Sequence, residues 1–109
     1  MTAHPRLLQT VLDATDVRGL AEFYRQLLGL TYRPGDEPPA DGSPDEADWL
    51  VLVHGDGGRA LAFQQVEHLT PATWPSPAVP MQLHLDTTVP DLESLEAVRE
   101  RAEGLGARL

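Results

Sequence analysis

His84 and Asp86 are the residues of this 109-residue chain whose types and spacing are best suited to chemistry. They lie two positions apart in the segment MQLHLDTT, residues 81–88, which is predicted to be a β-strand with both side chains on one face. A carboxylate beside an imidazole favours the protonated imidazole and suits proton transfer near neutral pH. The same pair can instead ligate a metal ion, with the carboxylate orienting the imidazole, or simply form a hydrogen bond.

The chain is acidic and contains no cysteine, and both facts restrict its partners. A net charge of −9 repels phosphate backbones, so nucleic acid is not an expected partner. The lack of cysteine excludes disulfides, thiol catalysis and zinc–thiolate sites and favours the cytoplasm. No apolar run approaches the ~18 residues of a membrane span, and the N-terminus lacks the pattern of a signal peptide, so no membrane association is expected.

The first half of the chain predicts the element order β-α-β-β-β. The predicted elements are strands at 7–13, 30–33, 49–54 and 59–66, and a helix at 17–28 that Asp16 caps and Gly29 ends. The segment 35–48 is rich in proline, glycine and acidic residues and is predicted to be a loop. The turn GDGG between the last two strands predicts a hairpin.

The second half begins as the first half does. A proline-rich connector leads to the strand at 81–88 and to a helix capped by Asp91, and the expected inner face of this helix consists of Leu92, Leu95, Val98, Ala102 and Leu105. Superposing 9–29 on 84–104 aligns Gln9 with His84, Asp16 with Asp91, Leu20 with Leu95 and Gly29 with Gly104. We therefore predict an internal repeat rather than two unrelated β-α units.

The second copy of the repeat is expected to be incomplete. Residues 107–109 read as the start of another strand, and about two strands of the repeat are then missing. An open sheet edge invites pairing with another chain. We therefore expect either a homodimer formed by strand pairing or marginal stability.

Strand alternation collects polar side chains on one face of the predicted sheet. Leu61 and Phe63 form a bulky side suited to packing under a helix, which leaves Gln64 on the opposite side. The same alternation gives a polar face made of Gln9, Asp13, Gln64, Gln82, His84 and Asp86. A purely structural sheet rarely gathers so many polar groups on one face, because each needs a partner when buried. The pattern predicts a ligand site.

The run DVRGLAEFYRQLLGL at 16–30, combined with the repeat, resembles the glyoxalase/bleomycin-resistance/extradiol-dioxygenase group, the vicinal oxygen chelate superfamily. The segments AFQQV, TWP and QLHLD are similar to its bacterial glyoxalase-like subgroup. The resemblance implies an α+β fold in which paired βαβββ modules form a cupped sheet with the helices outside. It would be a single domain, with module one at about 7–67, a connector at 68–80 and an incomplete module two at 81–109.

The resemblance also implies where a ligand or metal ion would bind. In that superfamily the ligand lies inside the cup, and metal ligands come from the first and fourth strands of each module. Carried over to this chain, the ligands for nickel, zinc or iron would be Gln9, Gln64 (or, less favoured, Gln65) and His84, with the fourth ligand absent. One histidine with neutral amides is a poor site for a divalent cation.

Two tryptophans complete the predicted site. Trp74, in the proline-rich connector, is either a plug on the end of the sheet or an aromatic wall for a flat ligand. Trp49, which follows the acidic loop, is expected at the mouth of the cup. The predicted ligand-binding residues are therefore Gln9, Gln64, Gln82, Trp49 and Trp74.

Three functions remain open at this stage. The first is a lyase, isomerase or dioxygenase acting on a small carbonyl or aromatic compound, with His84 and Asp86 as its catalytic residues. The second is a binding protein of the bleomycin-resistance type, which sequesters a ligand without chemistry. The third is a module that serves only in assembly.

Overall fold

The computed structural model describes residues 3–109, which divide into two compact units, one up to Glu67 and one from His68 onward. The elements in chain order are β1 (Thr10–Ala14), α1 (Val17–Leu28), β2 (Thr31–Tyr32), β3 (Trp49–Val53), β4 (Arg59–Gln65) and α2 (Leu92–Gly104). The predicted order β-α-β-β-β of the first half is therefore confirmed. Neither of the described helices is long and apolar enough to cross a membrane.

The first unit is built on one four-stranded sheet with the order β1-β4-β3-β2. β1 pairs with β4 in parallel, and the other neighbours are antiparallel. The β3–β4 hairpin is closed by hydrogen bonds from the His54 N–H to the Gly58 carbonyl, at 2.8 Å, and from the Gly57 N–H to the His54 carbonyl, at 2.9 Å. The strand order places β1 at one edge of the sheet, beside β4.

Helix α1 begins and ends where its sequence predicts. Asp16 Oδ1 accepts a hydrogen bond from the Gly19 N–H at 3.0 Å, which satisfies one of the free donors of the first turn. Gly29 ends the helix with φ of 67°, a left-handed conformation that glycine adopts without steric cost, and its N–H donates to the Arg25 carbonyl. These two residues fix the length of α1 locally.

The core lies between α1 and one face of the sheet. Leu50 and Leu52 of β3 and Leu61 and Phe63 of β4 are buried on this face, each at most 6% exposed. Tyr24 of α1 stacks on the Phe63 ring, with centroids 5.9 Å apart. Burial of each of the large side chains contributes roughly 1.5–3 kcal/mol, so this layer contributes strongly to the stability of the first unit.

The acidic loop between β2 and β3 is fixed to α1 by Arg18. The Arg18 guanidinium donates to both carboxylate oxygens of Asp45, at 2.6 and 3.2 Å, and to the Asp36 carbonyl at 2.7 Å. It also lies over the Tyr32 ring, 4.9 Å from its centroid. The hydrogen bond from Arg18 lowers the pKa of the Asp45 carboxyl. The loop is therefore held against the helix although its composition is polar.

The second unit contains α2 and, within the described residues, no strand. The Asp91 cap is confirmed, since its carboxylate accepts from the Ser94 N–H at 2.7 Å. The predicted strand at 81–88 is wrong, as is the predicted strand start at 107–109. A β-strand requires a neighbour for its backbone groups, and neither segment has one.

Two further predictions for the second unit are wrong. The expected inner face of α2 is not buried, because Leu92 is 79% and Leu95 49% exposed and no residue of the helix is buried. Gly104 does not match Gly29, because it is the last residue of α2 and the capping residue is Leu105, in a right-handed conformation. The repeat is therefore visible at the start of the two helices and not at their ends.

Candidate functional site

Asp13, Gln64 and Trp49 form one row across three neighbouring strands. Gln64 of β4 lies opposite Asp13 of β1 in the parallel pair and opposite Trp49 of β3 in the antiparallel pair. Residues directly opposite each other point to the same face of a sheet. Because the adjacent pair Leu50 and Phe63 packs against α1, the row lies on the face opposite α1. We call these three residues the Trp49 row.

The Trp49 row is accessible to solvent in part. Asp13 and Gln64 are exposed, and Trp49 is half-buried. Along β1 the same face continues to Val11, which is 39% exposed. An exposed carboxylate, an exposed amide and an indole therefore meet on one surface of the first unit.

Gln9 lies just before β1 and contacts Arg59 at the start of β4. The Arg59 Nη1 atom donates to Gln9 Oε1 at 3.4 Å, and both side chains are half-buried. The register of β3 and β4 shifts between Leu52 and Val53, so that Arg59 lies opposite Val53. Val53 alternates with Leu52, so this β-bulge places Arg59 on the face of the Trp49 row.

Gln65 is held by the backbone of the first unit. Its Oε1 atom accepts from the Val17 N–H at 3.0 Å, and its Nε2 atom donates to the Thr15 carbonyl at 2.6 Å. Gln65 thus fastens the β1–α1 connection to the end of β4. Both adjacent glutamines are exposed, but Gln64 makes no such bonds, so its side chain is the one available to a ligand.

In the second unit, His84 and Asp86 contact each other at the surface. His84 Nε2 lies 3.5 Å from Asp86 Oδ1, and the two side chains are 70% and 91% exposed. Gln82 is exposed as well. The segment is not a strand, so alternation cannot be the reason why these residues lie close together. The expected contact between His84 and Asp86 is nevertheless present.

Trp74 lines a cavity of about 650 Å³ in the second unit, together with Thr73, Pro75 and Arg108. It is 74% exposed. The two predictions for Trp74, the plug on the end of the sheet and the aromatic wall, stay predictions. An exposed indole beside an arginine is compatible with the aromatic wall.

Glu22 connects α1 to β2 on the side of the sheet that carries the helix. Its carboxylate accepts from Arg25 Nε at 2.8 Å, from Tyr32 Oη at 2.7 Å and from Gln26 Nε2 at 3.2 Å. These hydrogen bonds, that of Arg25 first, lower the pKa of Glu22 to about 2. Burial raises the pKa of the Tyr32 hydroxyl. The cluster is fully hydrogen-bonded and ties elements together.

Comparisons with known proteins identify the family. The model of the glyoxalase-like domain matches residues 9–109. This chain belongs to the glyoxalase-like domain family. A solved structure described as a possible glyoxalase from Bacillus cereus is similar, with a TM-score of 0.60 over 93% of this chain and 74% of that chain, at 16% sequence identity. At that identity the likeness shows the α+β fold alone. The search of curated proteins finds no match.

The donor set of this glyoxalase-like domain does not fit a catalytic metal ion. The predicted ligands Gln9, Gln64 and His84 supply two neutral amides and one imidazole, whereas divalent cations need anionic compensation. Within residues 3–109 no three histidine, cysteine, aspartate or glutamate side chains gather as a metal site. The metal assignment stays a prediction, and no chemistry of the domain is derived from it.

The sequence patterns did not predict the roles of two residues of the domain, Arg59 and Gln65. Arg59 follows the GDGG turn directly and was given no role by the sequence patterns, because a β-bulge cannot be read from alternation. Gln65 was a second choice as a ligand and is instead structural. For Gln65 the sequence does carry one signal, the doublet Gln64–Gln65. In a strand, alternation sends the two side chains to opposite faces, so only one of them can lie on the predicted ligand face.

Proposed function

We propose that this glyoxalase-like domain binds a small organic molecule on the sheet face opposite α1. The alignment of Asp13, Gln64 and Trp49 in one row carries the proposal. The row offers a carboxylate acceptor, an amide that donates and accepts, and an aromatic surface, which is the mixed lining typical of small-molecule sites. Neighbouring strands lie about 4.8 Å apart, so the row is roughly 10 Å wide and matches one ring with polar substituents.

The test is a fragment screen by ¹⁵N–¹H NMR on the whole chain. Small carbonyl and aromatic compounds should shift the Trp49 indole N–H and the Gln64 side-chain amide together. The variant Gln64→Leu should weaken their binding at least about tenfold, because it removes hydrogen bonds to the ligand. Gln26→Leu, an exposed position on α1, is the matched control. Compounds that bind only elsewhere, or that bind Gln64→Leu equally well, contradict the proposal.

An enzymatic role is the second candidate, and the contact between His84 and Asp86 favours it. At 3.5 Å the carboxylate can orient the imidazole. Such a pair suits removal of a proton next to a carbonyl group, the step shared by the lyase and isomerase reactions that the resemblance implies. The pair is nevertheless exposed, whereas enzymes carry out proton transfer in sites shielded from water. For this reason binding stays the first candidate and catalysis the second.

Proton exchange in heavy water tests the enzymatic candidate. Hydroxyacetone and dihydroxyacetone, as simple carbonyl probes, should exchange their α-protons faster in the presence of the protein. His84→Gln should reduce the protein-dependent rate by about 10²-fold or more, the contribution typical of general acid–base catalysis. His54→Gln, an exposed histidine in the β3–β4 turn, is the control. Exchange that is unaffected by His84→Gln excludes His84 as the base for these probes.

The pairing of two βαβββ modules and the homodimer belong to the same proposal. The position of β1 at the edge of the described sheet supports self-association, because an unpaired edge presents free N–H and carbonyl groups. Multi-angle light scattering over a hundredfold range of protein concentration tests it. A dimer mass is expected at the high end, and a monomer mass at every concentration contradicts the homodimer.

A further inference from the structure

The arginines of this chain hold carboxylates through one edge of the guanidinium. In four of them both Nε and Nη2 donate to one carboxylate group. The pairs are Arg18 with Asp45, Arg25 with Glu22, Arg33 with Asp36 and Arg99 with Glu96, at N···O distances between 2.6 and 3.3 Å. This edge presents two parallel N–H groups that match the two oxygens of a carboxylate.

Arg59 carries the same edge without a carboxylate. Its guanidinium donates through Nη1 to Gln9 Oε1, and no Asp or Glu oxygen among residues 3–109 lies within ion-pair distance of it. The chain has 17 acidic and 8 basic residues, so partners for an arginine are plentiful. A half-buried guanidinium without one is therefore unusual in this molecule.

The β-bulge determines where this free edge lies. With Arg59 opposite Val53, the side chain emerges on the face of the Trp49 row rather than into the core. Gln9 occupies Nη1 and so limits rotation of the guanidinium, while Nε and Nη2 remain available. Partial burial strengthens an ion pair formed at this position, because water screens it less.

We propose that Arg59 binds the carboxylate group of the ligand, with Gln9 as the residue that positions the guanidinium. The inference rests on the proposed function and names its ligand class, an organic acid with a ring and a carboxylate side chain. A planar carboxylate fits the two N–H groups of the free edge, whereas the net charge of −9 disfavours multiply charged anions. The guanidinium gives a single-charge ligand a local partner on an otherwise acidic surface.

The spacing on this face sets the length of the acid. Asp13 on β1 lies four positions after Gln9, about 13 Å along the extended chain, and Val11, the exposed apolar residue between them, would contact an alkyl chain. The negative charge of Asp13 repels a carboxylate from the Trp49 row and favours its binding at Arg59. The ring would therefore lie at the row and the carboxylate at the far end.

The matched probes are 6-phenylhexanoate and its neutral isostere 6-phenylhexanamide, followed by NMR on the whole chain. The acid should shift the Arg59 Nε–H resonance saturably and bind at least about tenfold more tightly than the amide. Arg59→Gln should remove this preference, and Arg59→Lys should restore part of it, since lysine keeps the charge but not the two-pronged geometry. Arg6→Gln, which changes the charge equally at an exposed site, should leave the preference intact.

Each failure has its own signature. If both probes shift Trp49 and Gln64 but bind equally, or if Arg59→Gln retains the preference, the role of Arg59 is overturned and the proposed binding face stands. If the acid shifts Arg59 and leaves the Trp49 row unchanged, the ring site is overturned. If neither probe shifts any resonance on this face, the inference is overturned as well. Unchanged dispersion of the backbone amide signals in each variant verifies that the fold is retained.

Discussion

The two helices of this chain begin with the same cap and end up in different surroundings. Asp16 and Asp91 each accept a hydrogen bond from the N–H three residues further on, at 3.0 and 2.7 Å. Helix α1 nevertheless contributes two buried residues to a core, whereas α2 has none. A cap therefore starts a helix locally, while burial depends on an apolar surface that another element supplies.

The side-chain hydrogen bonds of the two units also differ, in the sequence separation of the residues that they join. In the first unit Gln65 bonds to a residue 48 positions away, and Arg18 bonds to one 27 positions away. In the second unit the bonds of Thr73, Asp91 and Arg99 reach residues three to six positions away. Long-range contacts make a unit cooperative, so the first unit should unfold as one body and the second should respond locally.

The largest expected effect contrasts the two apolar layers. Phe63→Ala should lower the free energy of unfolding by about 3–5 kcal/mol, because it leaves a cavity beside α1. Leu95→Ala should lower it by less than about 1 kcal/mol, because the side chain is 49% exposed. Urea unfolding followed by far-UV circular dichroism measures both. Equal losses would show that α2 is packed as firmly as α1.

The next prediction uses the adjacent glutamines of β4. Gln65→Ala should cost about 1 kcal/mol, because it removes the hydrogen bonds to the Val17 N–H and the Thr15 carbonyl. Gln64→Ala should change the free energy of unfolding by no more than about 0.5 kcal/mol, because its exposed side chain lacks the backbone hydrogen bonds that Gln65 makes. Chemical unfolding of both variants under one condition provides the comparison, and the reverse order would exchange the two roles.

A smaller effect compares a long-range ion pair with a local one. Arg18→Gln should lower the free energy of unfolding by about 1 kcal/mol and speed proteolysis of the loop 35–48, since the loop loses its anchor. Arg99→Gln removes only contacts within α2 and should leave the proteolysis rate of that loop unchanged. Limited proteolysis with mass spectrometry distinguishes the two. Faster loop cleavage in both variants would show that the units are coupled.

The smallest effect is a dependence on pH that belongs to the first unit. The folded-state pKa of Glu22, about 2, lies below the ordinary value of 4.5. Its contribution to stability is therefore present above about pH 4.5 and is lost as the pH falls towards 2. Glu22→Gln should flatten the loss of stability over this range, whereas Glu100→Gln, exposed on α2, should not. Urea midpoints at pH 5, 3.5 and 2.5 test this, and parallel curves for Glu22→Gln and the parent protein would contradict it.

The first unit was predictable because its elements carry complete local signals. The cap, the spaced apolar residues and the glycine at the end defined α1, and the GDGG turn defined the hairpin. The strand predicted at 81–88 failed although its alternation is as clear, because a strand forms only with a neighbour. The candidate site was also predictable only in part. Alternation placed Gln64 and Asp13 on one face, but it missed the β-bulge that turns Arg59 to the same face.

The sequence alone determined the glyoxalase-like family, the caps of both helices, the order of the first five elements and the polar face with Gln64 and Asp13. These features depend on patterns within one helix or strand, where sterics and hydrogen bonding act between near neighbours. The structural role of Gln65, the anchoring of the acidic loop by Arg18 and the free guanidinium edge of Arg59 became visible in the folded molecule. These outcomes depend on which distant backbone groups, carboxylates and strands meet, because a polar side chain bonds to whatever partner the fold brings within about 3 Å.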